Sequence, residues 1–204
     1  MRLAILGAGG HGRVVADLAS LIGYDQIAVF DDLWPYLPET DGWSVLGNTE
    51  AMLSSELEFD GIAVAIGDNE TRIDKLTLFV EAGFCMPPLI HPRAYVSKNV
   101  CMGEGTVVMA GAILQTGSAL GRGCIINTSS TVDHDCFLDD GVHIAPGAHL
   151  AGSVTVGKYS TIGVGASVIQ NRQLGTRITV AAGACVVDDV LEGQCVMGVP
   201  AKAI

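Results

Sequence analysis

The stretch TVDHDCFLDDGVHIAPGAHLAG, residues 131–152, decides how this chain is read. Val132, Leu138, Ile144 and Leu150 fall at every sixth position of it. A helix repeats near every 3.6 residues and an exposed strand alternates, so neither gives that spacing. Working outward, the phase extends back through Ile126, Leu120, Leu114, Val108 and Met102 to Val96. It extends forward through Val156, Ile162, Val168, Leu174 and Val180 to Val186. Two residues before most of these stands a small side chain, among them Ala94, Ala112, Ser118, Cys124, Ser130, Cys136, Ala148, Ser160, Ala166 and Ala184. Such a period is the signature of a parallel β-helix, in which short strands stack coil upon coil and aliphatic side chains fill a narrow prism. Three hexapeptides close one triangular coil, so the segment predicts about five coils. Cys124 and Cys136 sit in the small-residue slot and need no chemistry there.

The first 85 residues have other periods. LAILG (3–7) reads as a strand, GHGRVVADLASLIG (10–23) as a helix, IAVF (27–30) as a strand, and GIAVAIG (61–67) as a strand before a helix at 69–82. That β–α–β order predicts a small parallel sheet, a half-Rossmann-like domain. PLIHP (88–92) reads as the joint, giving a domain over 1–85, a linker over 86–93 and a β-helix with a short tail over 94–204.

Composition narrows the function. Of 204 residues, 22 are acidic and 11 basic, a net charge of −11 that disfavours nucleic acid and anionic lipid as partners. No run of about 18 uncharged apolar residues suggests a membrane span, and a cytoplasmic protein is expected. Six cysteines show no CxxC spacing, so reduced thiols are the default, with a cysteine nucleophile as the minor alternative.

Two motifs carry chemistry. Gly7-Ala-Gly9-Gly10-His11-Gly12 follows a strand and opens a helix, matching the GxGxxG fingerprint, and Asp31 and Asp32 end the next strand. A dinucleotide spans two βαβαβ halves, whereas this domain is one, so a mononucleotide-linked substrate fits better than a nicotinamide cofactor. Backbone N–H groups at the helix start would hold a diphosphate, and the two aspartates a base or ribose.

The second motif is the set of histidines. His134 is flanked by Asp133 and Asp135, and a neighbouring carboxylate raises imidazole basicity, which suits a general base. His143 lies nine residues on, half a coil of 18, so the two rings point to opposite sides of one prism. They share a site only if His134 of one subunit faces His143 of another. His149 falls on the next face and reads as structural, and the spacing of the three matches no zinc pattern.

Taken together, GAGGHGRVV (8–15 with its leading Gly7), Asp31-Asp32, AIGDNETR (65–72), INTSSTVDHDC (126–136), VHIAPGAHLAG (142–152) and GVPAK (198–202) resemble the PglD/PglB-type, NeuD-like sugar acyltransferases over essentially the whole chain. The resemblance implies a left-handed β-helix, an exception to the right-handed crossover rule. It implies a homotrimer with active sites between subunits, a nucleotide sugar on the N-terminal domain and acetyl-CoA on the β-helix, with no metal. It places sugar-nucleotide contacts on Gly9, Gly10, His11, Asp31, Asp32 and Gly67. It makes His134 the base, Asp135 its acidic neighbour and His143 the residue that meets acetyl-CoA. Val164 and Ala182 become backbone contacts along the coenzyme, with Asn127 lining the cleft.

The activity it implies is N-acetylation of the C4 amine of a UDP-linked 4-amino-4,6-dideoxy-N-acetylglucosamine, on the way to diacetylated bacillosamine in protein glycosylation or surface polysaccharide synthesis. O-acetylation of sialic acid or another sugar, and N-acetylation of GDP-perosamine, are the rivals on the same scaffold. A non-catalytic trimeric scaffold is the rival from another class.

Overall fold

The computed structural model describes residues 1–55 and 58–204, which fold as two units, Met1–Leu89 and Ile90–Ile204. In the first unit, β1 (Arg2–Leu6) pairs in parallel with β2 (Gln26–Phe30) through the crossover helix α1 (Gly10–Leu21). A hairpin, β3 (Glu39–Thr40) and β4 (Trp43–Ser44), and a short helix α2 (Thr49–Leu53) follow, neither anticipated from the sequence. Then β5 (Gly61–Val64) pairs with the other edge of β1, giving the order β2-β1-β5, and leads into α3 (Asn69–Glu81). Leu6, Phe30, Met52, Ile62, Val64, Leu76 and Phe79 form the core of this unit.

The second unit is a parallel β-solenoid of about 6 turns. Its two-residue strands line three faces, with partners 18 residues apart: Ile113 opposite Thr131, Ala119 opposite Phe137, Ile125 opposite His143. The expected five coils fall short because the prism starts earlier than Val96. Leu89–Ile90, inside the prolines of PLIHP, already forms a strand of the eight-stranded face, and Ile90 packs on the prism core in phase with the period. At the other end, Cys195–Gly198 pairs in parallel with Thr179–Val180 and antiparallel with Ala201–Ala203, which ends the stack.

Inside the prism, Leu114, Val132, Leu138, Ile144, Val156, Ile162 and Val180 are fully buried. The small slot between them is filled as its side chains dictate. Buried Ser118 and Ser160 donate to the carbonyls of Asp133 and Gly175 at 2.7 and 2.9 Å. Cys124 and Cys136 donate through sulfur to the carbonyls of Asp139 and Ala151 at 3.3 and 3.2 Å. Burial pushes the Cys136 thiol up, away from the thiolate a nucleophile needs.

Corners set the coil's shape. At every sixth residue from Gly105 to Gly183 the backbone has positive φ, between 55° and 78°. Glycine fills most of these positions, but Ser129, Asp135, Ser153, Tyr159, Asn171 and Arg177 adopt the same conformation. There is no alternative there, since the next strand must return to register.

Truncating one inward side chain should therefore cost much more than truncating an outward one. Leu138→Ala is expected to lower unfolding stability by about 2–5 kcal/mol, and Thr155→Ala on the neighbouring strand by less than about 0.5 kcal/mol, as read by chemical denaturation.

Candidate active site

The glycines of the first turn divide by role. Gly7 has φ +112°, and a Cβ there would stand 2.6 Å from the Ala65 carbonyl oxygen. A Cβ on Gly12 would collide with the Gly7 carbonyl, so α1 packs on β1 only through a bare backbone. Gly9 and Gly10 are different: both lie outside the left-handed region, and no atom comes nearer than 3.9 Å to a Cβ at either. Gly67, after β5, has the same open surroundings. The fold demands glycine at 7 and 12; at 9, 10 and 67 it leaves backbone bare and approachable.

Helix caps point to the same place. Asn48 caps α2 and Asp68 caps α3, each accepting from a backbone N–H of the first turn. Gly9 caps α1 with no side chain, and the first turn of α1 holds no acidic residue. Its N–H groups and the positive end of the helix dipole are left for another acceptor. His11 sits in that turn with its Nε2 buried and without a partner. Burial, then the nearby Arg72 guanidinium, lowers its pKa to about 4, so the ring is neutral. Arg72 itself, 1% exposed, donates to the carbonyls of Ile66 and Gly67 at 2.9 and 3.1 Å and to Asn69 Oδ1 at 2.7 Å. A buried cation thus holds the Gly67 turn, a role that the motif AIGDNETR does not reveal by itself.

The two aspartates have structural work. Asp31 accepts the N–H groups of Ala8 and Leu33 at 2.7 and 2.8 Å, tying the glycine turn to the loop after β2. Asp32 accepts from Thr49 N–H at 2.8 Å and pairs with Lys75 Nζ at 2.6 Å. Partial burial works to raise the Asp32 carboxyl, but hydrogen bonds from Lys75 and Thr49 outweigh it and hold it below its usual range.

In the β-solenoid, His134 and Asp135 form a corner between the strands Thr131–Val132 and Phe137–Leu138. Asp135 occupies the positive-φ position, φ 59°, which turns its carboxylate back on its neighbour. His134 Nδ1 lies 2.9 Å from Asp135 Oδ2. That hydrogen bond leads the influences that raise the His134 pKa above its ordinary 6.5, and the Asp135 and Asp133 charges add to it. With Nδ1–H donated to the carboxylate, Nε2 carries the lone pair.

Two glycines make room for the pair. Gly152 lies one coil after His134, and a Cβ there would overlap the imidazole at Nε2. Gly117 lies one coil before Asp135, and a Cβ there would strike the carboxylate. Sequence reading missed both, although adding or subtracting 18 from the two site residues finds them.

His143 stands elsewhere, on the strand His143–Ile144 of the eight-stranded face, and not beside His134 of the same chain. Asn127 Nδ2 lies 3.1 Å from its Nε2. Val164 and Ala182, both exposed, follow the strands Thr161–Ile162 and Thr179–Val180 of that face and stack one coil apart. His149 Nδ1 meets Thr131 Oγ1 at 2.9 Å on the face where the structural reading put it. Among the described residues, no three His, Cys, Asp or Glu side chains gather as a metal site, and no helix is long and apolar enough to cross a membrane.

Known proteins share this arrangement. Residues 2–77 match the family model described as the PglD N-terminal domain. The acetyltransferase domain of PglB from Neisseria gonorrhoeae superposes with a TM-score of 0.94 at 45% identity, covering 100% of this chain and 99% of that one. The chain belongs to the PglD/PglB-type hexapeptide-repeat acetyltransferases. Its fold is that of the left-handed β-helix members. The same PglB domain has been solved in complex with acetyl coenzyme A. PerB from Caulobacter crescentus, solved with CoA and GDP-perosamine, matches with a TM-score of 0.94 at 38% identity, covering 100% of this chain and 97% of that one. A curated relative from Bacillus subtilis, UDP-N-acetylbacillosamine N-acetyltransferase, is 35% identical over 111 residues, 53% of this chain and 51% of that protein. The match therefore spans about half the length of that relative.

The raised basicity of His134 is directly measurable. In a proton NMR titration its ring should show a midpoint above 6.5, and Asp135→Asn should bring that midpoint down by removing the group that stabilises imidazolium.

Proposed function

We propose that this chain transfers the acetyl group of acetyl-CoA to the C4 amine of a UDP-linked 4-amino-4,6-dideoxy-N-acetylglucosamine. The observation that carries the reading is the His134–Asp135 pair, whose imidazole lies over the bare backbone of Gly152 with Nδ1 engaged by the carboxylate and the lone pair left on Nε2. The amine nitrogen attacks the thioester carbonyl carbon and the C–S bond breaks. The proton on the attacking nitrogen passes to His134 Nε2 and from there to the departing thiolate. Asp135 holds the imidazole in the tautomer that can accept that proton and offsets the charge of the imidazolium that forms.

The sugar nucleotide's diphosphate lies at the uncapped start of α1, against Gly9 and Gly10, with His11 Nε2 and the Gly67 turn as further contacts. Asp31 and Asp32 order the loop that meets the nucleoside and keep unused lone pairs for it. Acetyl-CoA lies along Val164 and Ala182, with its thioester near His143 and Asn127. His134 and His143 belong to opposite sides of one prism, so the complete site takes His134 from one subunit and His143 from the next in a homotrimer. The reaction belongs in the cytoplasm, where acetyl-CoA is made and free cysteines stay reduced. GDP-perosamine is the rival acceptor, because PerB carries it in its structure.

Thiol release from acetyl-CoA, measured with the UDP-4-amino sugar, GDP-perosamine and free sialic acid, tests this. Turnover with the first alone is expected. Release only with GDP-perosamine would move the acceptor, and release only with sialic acid would make the enzyme an O-acetyltransferase. His134→Ala should lose roughly 10²–10⁴-fold in kcat. Gly152→Ala, at a backbone position that tolerates alanine, should displace the ring and lose about 10²-fold in kcat with an unchanged melting temperature.

A further inference from the structure

We infer that Asn127 is a positioning residue that locks His143 in its neutral, Nδ1-protonated tautomer. The orientation of the carboxamide is fixed by its neighbour in the chain. Thr128 N–H, which can only donate, lies 2.8 Å from Asn127 Oδ1, and the Thr128 hydroxyl lies 3.4 Å from the same atom. That makes Oδ1 the oxygen and fixes the other end of the amide as the NH₂ group. The NH₂ nitrogen stands 3.1 Å from His143 Nε2 and can only donate to it. Nε2 must therefore hold a lone pair, and the single ring proton of neutral His143 sits on Nδ1.

The register keeps this contact in place. Ile125 pairs with His143 across adjacent coils, and Asn127 N–H donates to the Ile144 carbonyl at 2.9 Å, so Asn127 can reach the ring from the coil below without a loop that could drift.

The consequence concerns the division of labour between two histidines, and it rests on the acetyl-transfer reading above. His134 gives its Nδ1 proton to Asp135 and keeps an Nε2 lone pair, so it can take a proton. His143 has its Nε2 lone pair engaged by Asn127, so it is not a second base through that atom. Any ring proton that neutral His143 donates then comes from Nδ1. The same residue type thus serves opposite roles because the neighbour differs: a carboxylate that accepts in one case, a carboxamide that donates in the other.

The test is two-bond proton–nitrogen correlation NMR on protein labelled with ¹⁵N-histidine, the signals assigned with a His143→Gln variant. Wild type is expected to show His143 protonated at Nδ1, against the Nε2–H form that unconstrained histidine favours. Asn127→Asp keeps an acceptor for Thr128 but replaces the donor with a second acceptor, so His143 should switch to Nε2–H. Asn127→Ala should leave a mixture of the two. In thiol-release assays, Asn127→Asp should lower kcat/KM for acetyl-CoA about tenfold, the size of one neutral hydrogen bond, while the pH limb governed by His134 stays in place. An Nε2–H signal in wild type, or the same His143 signal in wild type and Asn127→Asp, would overturn the inference. Because the spectra need no turnover, a wild type that shows the Nδ1–H form yet releases no thiol refutes the acetyl-transfer reading and leaves the tautomer lock supported.

Discussion

Everything in the second unit depends on the register of 18 residues per coil. It is maintained by a backbone ladder in which residues of one coil donate to carbonyls of the coils on either side, such as Asp133 N–H to Leu150 O at 3.0 Å on the following coil and Ser153 N–H to His134 O at 2.9 Å on the preceding one. A slip of one residue would turn the aliphatic column out of the prism and its polar neighbours in. Because the ladder forbids that, positions one coil apart stay stacked, and the candidate site is built from such stacks. Gly152 stacks on His134, Asp135 on Gly117, Ala182 on Val164.

The corner at Asp135 shows how the scaffold carries a strained residue. Left-handed backbone costs a non-glycine residue roughly 1–2 kcal/mol, less for Asp and Asn, whose short polar side chains bond locally. Here Asp135 N–H donates to the Thr116 carbonyl at 3.1 Å and the carboxylate bonds the adjacent imidazole. The coils on either side, closed by fully buried Val132, Leu138 and Leu150, hold the corner in that conformation. The repeat would have turned with glycine at 135, as it does at 117 and 141. An aspartate in that slot exchanges some local stability for a fixed carboxylate 2.9 Å from the His134 imidazole.

The sequence made the prism legible because its core is one-dimensional: each hexapeptide contributes one inward aliphatic residue, and the period survives any change of loop. It misled at the ends. Ile90 keeps the phase but is framed by Pro88 and Pro92, and prolines tolerated at a solenoid corner look the same in sequence as prolines of a linker. In the first unit, five elements were visible from apolar runs, while the hairpin β3–β4 and the helix α2 were not, because two-residue strands and a one-turn helix carry no period. His134 and Asp135 were legible as a pair adjacent in sequence. Gly117, Gly152 and the hold of Asn127 on His143 were not, since each depends on which residue lies one coil away and which atom faces it.

Charge explains the form of the first unit. With a net charge of −11, the chain repels a sugar nucleotide and a coenzyme that are both polyanions, so long-range attraction does not bring them in. On the proposed reading, binding rests on short-range donors that act within a hydrogen-bond length. Among the described residues, α1 is the helix without a side-chain cap, and its start, like the Gly67 turn, carries glycines that the fold does not require. A capping Asp or Ser at position 9 would stabilise α1 by about 1 kcal/mol and occupy the N–H groups a diphosphate needs. The Arg72 cation is withdrawn from solvent and spent on the carbonyls of the Gly67 turn. Burial, helped by the field of Arg72, keeps His11 neutral, so that on the proposed reading the histidine would meet its ligand as a hydrogen-bonding ring and not as a second charge. On that reading the unit would recognise an anion by presenting unfilled backbone donors in a fixed shape, which net negative charge weakens but does not abolish.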